Sequence, residues 1–289
     1  MEKEEEILLF PIHFKSKIEK KIFIEKDLRI RRITEKETKD FFGIKVTERN
    51  ENGFVIFSVG KGFSFDSPFA SRYLNYEIFI ISSQFILESK NVKKVEYFQQ
   101  TLKLYKDGKT GISFGINPKT KGIRFFYPIP FYGKEIYSLD EDDIPKIKEL
   151  FNEIKKTKND KFNLMIEKFL FALSGEGIKN EHRFLELVTI LEMLYLGKDR
   201  GEQTFKFSLR GAKVLSKYLS LDSKEVYDNM RKIYEIRSSI SHSGFHKDIS
   251  NYLDSLIYYT RQSIRLFLKD VSIFSKENLD KLCVKNWKD

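Results

Sequence analysis

Cysteine is almost absent from this chain: Cys283 stands alone, so no internal disulfide can form. Histidine is nearly as scarce, with four residues, and no cysteine or histidine group shows metal-ligand spacing. No acidic cluster has the spacing of a metal-dependent phosphoryl-transfer site. The expectation is a protein with no metal and no cofactor. Nor is there a run of about 18 apolar residues, the length a membrane-spanning helix needs. The opening Met1-Glu-Lys-Glu-Glu-Glu6 is the reverse of a basic secretory leader. These absences set the expectation of a cytoplasmic location with no membrane partner. Val59-Gly-Lys-Gly-Phe63 has the glycines of a phosphate loop but lacks the lysine-serine or lysine-threonine ending and the following helix.

What the chain has in quantity is apolar and basic side chains. Hydrophobic residues make up 41% and aromatics 15% of 289 residues, ample for two domains with real cores. The net charge of +10 favours a polyanionic partner, although lysine is spread along the whole sequence and does not locate a surface.

The first half has strand character. β-rich runs fall at Lys21 to Ile24, Leu28 to Ile33, Gly53 to Val59, Asn75 to Leu87, Val95 to Tyr105, Gly111 to Ile116 and Ile123 to Phe131. Asn52-Gly53, Asp107-Gly108 and Asn117-Pro118 mark turns, and Asp107-Gly108, lying between two alternating runs, is expected to close a hairpin. Thr34 and Glu37 form a capping box that predicts a short helix ending at Gly43. Phe125, Tyr127 and Phe131 at strand spacing suit a sheet core, while the basic and aromatic residues between Lys119 and Tyr132 also suit RNA stacking. Acids at Asp140 to Asp143 and lysines at Lys155, Lys156 and Lys158 bracket a helix. The expected organisation is α+β, with a β-rich N-terminal domain over residues 1–158 that ends in this connecting helix. An all-α bundle follows over residues 159–289.

Helical periodicity dominates the second half. Phe162, Ile166, Phe169 and Leu173 share one face, and Phe184, Leu187, Val188, Leu191 and Leu194 share another. Gly197 to Gln203 reads as an exposed connection. An apolar stripe of Val226, Met230, Ile233 and Ile240 then marks a helix from about Ser223 to Ser241, with Gly244 as its stop. Arg237 falls in the middle of that stripe, where a guanidinium needs an anionic partner or an interface. Glu192, beside the stripe of the second helix, is a candidate partner, a solvated helix glutamate being the other reading. His242 follows five residues later, about 140° around the helix from Arg237 and about 7.5 Å along it, so the two do not form a simple surface pair.

Residues from about Lys161 to Leu268 resemble the Apea-like branch of the HEPN superfamily. The likeness rests on His182-Arg-Phe-Leu-Glu-Leu-Val-Thr-Ile-Leu-Glu-Met-Leu194, on Phe205-Lys-Phe-Ser-Leu-Arg-Gly-Ala-Lys-Val-Leu215, and on Ile233-Tyr-Glu-Ile-Arg-Ser-Ser-Ile-Ser-His-Ser-Gly244 with a closing helix after Asp248. It implies an all-α HEPN bundle that dimerises, bringing two copies of Arg237 and His242 into one cleft. It also implies metal-independent endoribonuclease activity on RNA, in a defence (antiviral) or toxin setting. One departure is Ser238, where catalytic members often carry Asn, Asp or His. Four residues from His242 and on its face, the Ser238 hydroxyl has reach to the imidazole or to a phosphate.

The chemistry gives each residue a task. Attack by the ribose 2′-hydroxyl on the adjacent phosphorus needs a base for the hydroxyl and an acid for the leaving oxygen. Histidine titrates in the range where one imidazole accepts while another donates, and a two-fold dimer supplies both from two copies of His242. Arg237 suits the non-bridging oxygens of the pentacoordinate transition state. His246, just past Gly244, is a possible assistant, though a solvated loop histidine is the ordinary reading; His182 has no such case. The alternative function is a non-catalytic module that binds RNA, a nucleotide or a protein, with a regulatory ligand or protein at the N-terminal domain in either case.

Overall fold

The computed structural model describes residues 7–12, 14–34, 36–37, 44–49, 55–59, 85–112, 114–120, 123–125, 132–174, 178–197 and 201–284. The chain divides into two compact units, Met1–Lys155 and Lys156–Asp289. It is an α+β protein, with antiparallel strands in the first unit and helices throughout the second. Among the described residues no helix is long and apolar enough to cross a membrane.

The strands, in chain order, are β1 (Leu8–Ile12), β2 (Ile22–Glu25), β3 (Leu28–Arg32), β4 (Ile44–Arg49), β5 (Val55–Val59), β6 (Phe85–Ser89), β7 (Phe114–Ile116) and β8 (Ile123–Phe125). Six of them form a sheet in the order β2-β3-β6-β1-β7-β8, antiparallel at each pairing, while β4 and β5 pair with each other. Period-2 alternation sorts their side chains. Phe10 and Ile12, Ile22 and Ile24, Leu28 and Ile30, and Phe85 and Leu87 enter one core with Val95, Phe98 and Leu102 of α1 (Val92–Tyr105) and Ile147 and Phe151 of α2 (Asp143–Lys156). Between them on β3 lie Arg29 and Arg31, which both bind Glu88 of β6, Arg31 Nε at 2.6 Å. Arg31 Nη1 and Nη2 also bind the Glu37 carboxylate, Nη1 at 2.7 Å. The capping box is formed as the sequence predicts: Glu37 N–H donates to Thr34 Oγ1 at 3.2 Å, and Thr34 N–H donates back to Glu37 Oε2 at 3.0 Å. The helix beyond it to Gly43 lies outside the described residues.

The run from Val95 to Tyr105 is a helix and not a strand. Asn91 accepts from the N–H groups of Lys93 and Lys94, and Val95, Phe98 and Leu102 follow at helical spacing into the core. The β-branched and aromatic content of that run is overridden by the cap and by the sheet face it covers. With no strand before it, Asp107-Gly108 closes no hairpin; Gly108 takes φ 141° in the passage from α1. The hairpin lies instead at Asn117, whose Oδ1 accepts from the N–H groups of Lys119 and Thr120 at 2.9 and 3.1 Å between β7 and β8. Asn52-Gly53, Tyr127, Phe131 and the side chain of Phe125 lie outside the described residues, so the sheet-core and RNA-stacking readings of those aromatics have no structure to meet.

The second unit contains α3 (Asp160–Ala172), α4 (Asn180–Tyr195), α5 (Gln203–Leu219), α6 (Ser223–Ser243), α7 (Ile249–Lys269), a 3-10 turn at Val271–Phe274 and α8 (Lys276–Val284). The apolar faces read from the sequence are buried: Phe162, Ile166, Phe169 and Leu173 in or just after α3, and Phe184, Leu187, Val188, Leu191 and Leu194 in α4. Each such large side chain contributes about 1.5–3 kcal/mol when fully buried. α4 is central, touching α3, α5, α6 and α7. At Gly211 of α5 a Cβ would meet the methyl end of the Met230 side chain of α6. Buried arginines knit the helix ends, where backbone carbonyls lack partners. Arg183 donates to the carbonyls of Ala172 and Ser174, and Arg210 donates to the Tyr195 carbonyl at 2.8 Å and to Asp280 at 2.6 Å.

Candidate active site

α6 is delimited by two local signals. Asp222 caps its start by accepting from Glu225 N–H at 2.7 Å, and Gly244 ends it at φ 76°, with its N–H on the Ile240 carbonyl. Alanine at Gly244 would cost about 1 kcal/mol for the left-handed backbone alone. The stripe of Val226, Met230, Ile233 and Ile240 is buried, together with Tyr234 and Ile236.

Arg237 lies in that stripe, half-buried, and its expected partner is in place. Its Nε is 3.1 Å from Glu192 Oε1 of α4, with side-chain exposures of 36% and 20%. The guanidinium sits over the Tyr234 ring at 5.8 Å, a cation–π arrangement that fixes the plane of the fork. Tyr234 is itself held: its hydroxyl donates to Gln203 Oε1 of α5 at 3.0 Å, and its ring packs against Phe207 at 5.0 Å. Burial and the neighbouring Glu192 carboxylate push the Tyr234 phenol above its ordinary range, against the opposing pull of Arg237. Arg237 is thus gripped along its Nε edge and underside. Its two terminal nitrogens have no hydrogen-bond partner among the described residues, and the side chain remains about one-third exposed. A planar fork with one edge anchored and the other open is suited to a phosphate.

His242 occupies the last turn of α6, exposed, with no hydrogen bond or ion pair to any described residue. The helix places it about 140° around the axis from Arg237, so one chain does not aim both at the same point of space. Ser238 shares the His242 face, yet the two side chains form no hydrogen bond. The spacing permitted that contact, and the rotamers do not make it. His246 is engaged structurally: its Nδ1 accepts from Asp248 N–H at 3.1 Å and faces the Asp248 carboxylate at 3.9 Å, steadying the entry to α7. His182 is exposed in the first turn of α4. The remaining serines serve the backbone, Ser241 donating to the Arg237 carbonyl at 3.0 Å.

Two residues escaped the sequence reading. Tyr234 carried a usable signal, since three residues before Arg237 it shares that helix face. Gln203 carried none, because its role depends on how α5 packs against α6. No protein-family model, curated protein or solved structure matches the chain, so the site stands on its own geometry.

Proposed function

We propose that the helical unit is a HEPN-type, metal-independent endoribonuclease that works as a homodimer. In this reading two copies of His242 act on one phosphodiester, one taking the proton of the attacking 2′-hydroxyl and the other giving a proton to the leaving 5′-oxygen. Arg237 holds the non-bridging oxygens with its terminal nitrogens and offsets the added charge of the transition state, while Glu192 and Tyr234 keep its fork in position. Ser238 lies on the His242 face, where its hydroxyl is available to the phosphate. Such an activity suits a toxin or antiviral effector in the cytoplasm, restrained or triggered through the N-terminal unit.

The observation that carries the reading is Arg237, paired with Glu192 at Nε and without a hydrogen-bond partner for its terminal nitrogens among the described residues, on the same helix as a His242 that has no described partner. The test is RNA cleavage in chelator by wild type, Arg237→Ala and His242→Ala, with mass by light scattering. Cleavage lost in both variants at unchanged dimer mass supports the enzyme. A monomeric wild type, or cleavage that survives in either variant, ends it. The absence of any bond from Ser238 to His242 favours a second reading, a module that binds RNA without cutting it; RNA binding with no cleavage by wild type is its signature.

A further inference from the structure

Outside its strands, the first unit carries a narrow backbone crossing whose outer face is lined with lysine. The segment from Lys134 to Leu139 runs between residues 14–15 and residues 109–110. Lys15 N–H donates to the Tyr137 carbonyl at 2.7 Å, and Leu139 N–H donates to the Lys15 carbonyl at 2.8 Å. On the other side Lys109 N–H donates to the Glu135 carbonyl at 2.6 Å, and Tyr137 N–H donates to the Lys109 carbonyl at 3.2 Å. Both bridges are parallel, pairing Lys15 with Ser138 and Lys109 with Ile136. Alternation then sorts the side chains. Phe14, Thr110, Tyr137 and Leu139 point inward and are buried, so Lys15, Lys109, Lys134, Ile136 and Ser138 share the outer face.

The crossing is held from below. Lys103, 1% exposed, donates from Nζ to the Gly108 carbonyl at 2.7 Å and to the Tyr132 carbonyl at 3.4 Å. At Gly133 a Cβ would lie 2.7 Å from the Gly108 carbonyl carbon, so backbone meets backbone there. Lys109 and Lys134 therefore leave from clamped chain. With Lys15, Glu135, Ile136 and Ser138 they line a cleft of about 510 Å³. Three cations face one carboxylate, and neither Lys15 nor Lys109 makes a side-chain hydrogen bond or ion pair with a described residue. Lys94, Lys106 and Lys155 of the same unit each have a carboxylate partner. Cations gathered in a concave site concentrate positive potential there and favour an anion that enters.

We propose that this cleft binds a small molecule carrying a chain of phosphates, held by the ammonium groups of Lys15, Lys109 and Lys134 and by the Ser138 hydroxyl. A lysine ammonium is a point charge with three rotatable donors, which suits phosphate oxygens. Lys15 and Lys109 spring from backbone about 10 Å apart across the segment and about 7 Å apart along it. Linked phosphates engage both, where a lone carboxylate meets one. The volume falls in the range of small-molecule sites, and the lining has no aromatic ring on which the bases of a nucleic-acid strand would stack. The claim concerns binding by the sheet unit and needs nothing of the nuclease reading.

The probe is inorganic tripolyphosphate, titrated into the full chain by calorimetry at about 150 mM salt, where loose surface attraction is screened. Wild type binds it saturably, and binds orthophosphate at least about 10-fold more weakly. Lys15→Gln and Lys109→Gln each weaken tripolyphosphate about 10-fold, while Lys109→Arg keeps it. Lys26→Gln removes the same charge beyond the other end of the sheet, since Leu8 and Leu28 both pair with Ser89 and Lys15 lies seven residues past Leu8. That variant binds as wild type does. Equal losses from Lys26→Gln and Lys109→Gln overturn the proposal, because they reduce the site to net charge. No saturable binding by wild type overturns it as well. Single-stranded 2′-O-methyl RNA is the remaining arm. If Lys15→Gln and Lys109→Gln weaken the RNA and leave tripolyphosphate unchanged, the cleft belongs to a nucleic-acid backbone and the proposal falls.

Discussion

Two arginines show how differently the halves of this molecule use the same side chain. In the sheet unit Arg31 is engaged at all three guanidinium nitrogens, by Glu88, Glu37 and the Arg32 carbonyl. In the helical unit Arg237 pairs with Glu192 through Nε at 3.1 Å, and its terminal nitrogens have no hydrogen-bond partner among the described residues. A guanidinium whose donors are filled by the protein is part of the scaffold; one anchored on a single edge keeps binding capacity for something else. Other charges of the sheet unit are also paired within it, with Lys94 joined to Glu25 and Asp27, Lys155 to Glu25, and Lys106 to Asp143. Within the helical unit, Arg210 follows the same filled pattern.

If that contrast is right, changing the open residues alters cleavage and spares folding, and changing the filled ones does the opposite. The largest effect is expected at the end of α6. His242→Ala should lower RNA cleavage by about 10²–10⁴-fold. Arg237→Lys, which keeps the charge and loses the fork, should lower it by about 10²-fold. Both should leave the urea midpoint in place, and a shift in that midpoint would move Arg237 to the scaffold side of the comparison. Next, Arg210→Met should lower stability by about 2–4 kcal/mol in urea unfolding, because it strips the buried Tyr195 carbonyl of its donor. Glu192→Gln removes the anchor and should reduce cleavage about 10-fold by loosening Arg237, while stability changes by less than about 1 kcal/mol. A normal rate for that variant would show that Arg237 needs no positioning.

The smallest effect belongs to the sheet unit and depends on pH. Burial alone would raise the Asp143 carboxyl, but Lys106, Tyr105 and the Asp140 N–H outweigh it and hold it below the ordinary value of 3.8. A depressed folded value means stability that is present above 3.8 and lost as pH falls through the lower, folded value. Asp143→Asn should therefore cost about 1 kcal/mol at pH 7, with the difference from wild type shrinking toward zero below the folded value. Cleavage at pH 7 should be unaffected. A pH-independent difference would show that the charge on Asp143 contributes nothing.

The helical unit was far more legible in the sequence than the sheet unit. Its apolar faces repeat every three or four residues over long runs, so Phe184, Leu187, Val188, Leu191 and Leu194 announced α4 without knowledge of any neighbour. The same held for α6, from its buried stripe to Gly244. The closing 3-10 turn and α8 went unread. In the sheet unit, β1 and β4 carry weaker signals: β1 reads LLFPI, which does not alternate and holds Pro11, and β4 reads IKVTER, in which Ile44 and Val46 are the only aliphatic residues. From Val95 to Tyr105 the side chains carry strand propensity, while the helix signal lies outside the run, in the Asn91 cap before it. Asp107-Gly108 loses its hairpin for the same reason, since the run before it is no strand.

At the site the division is similar. The sequence alone determined that Arg237 would fall in an apolar stripe, that His242 would follow in the last turn, and that the guanidinium needed an anionic partner or an interface, since helix phase is set by the backbone within a single element. Tertiary structure alone decided that Glu192 pairs with Arg237 at Nε, that Gln203 and Tyr234 hold the plane, and that Ser238 makes no hydrogen bond to His242. Those outcomes depend on how α4, α5 and α6 meet and on which rotamers that packing allows. Contacts between residues 31 or more apart in the chain, such as Tyr234 with Gln203, are created by packing and have no local period to reveal them.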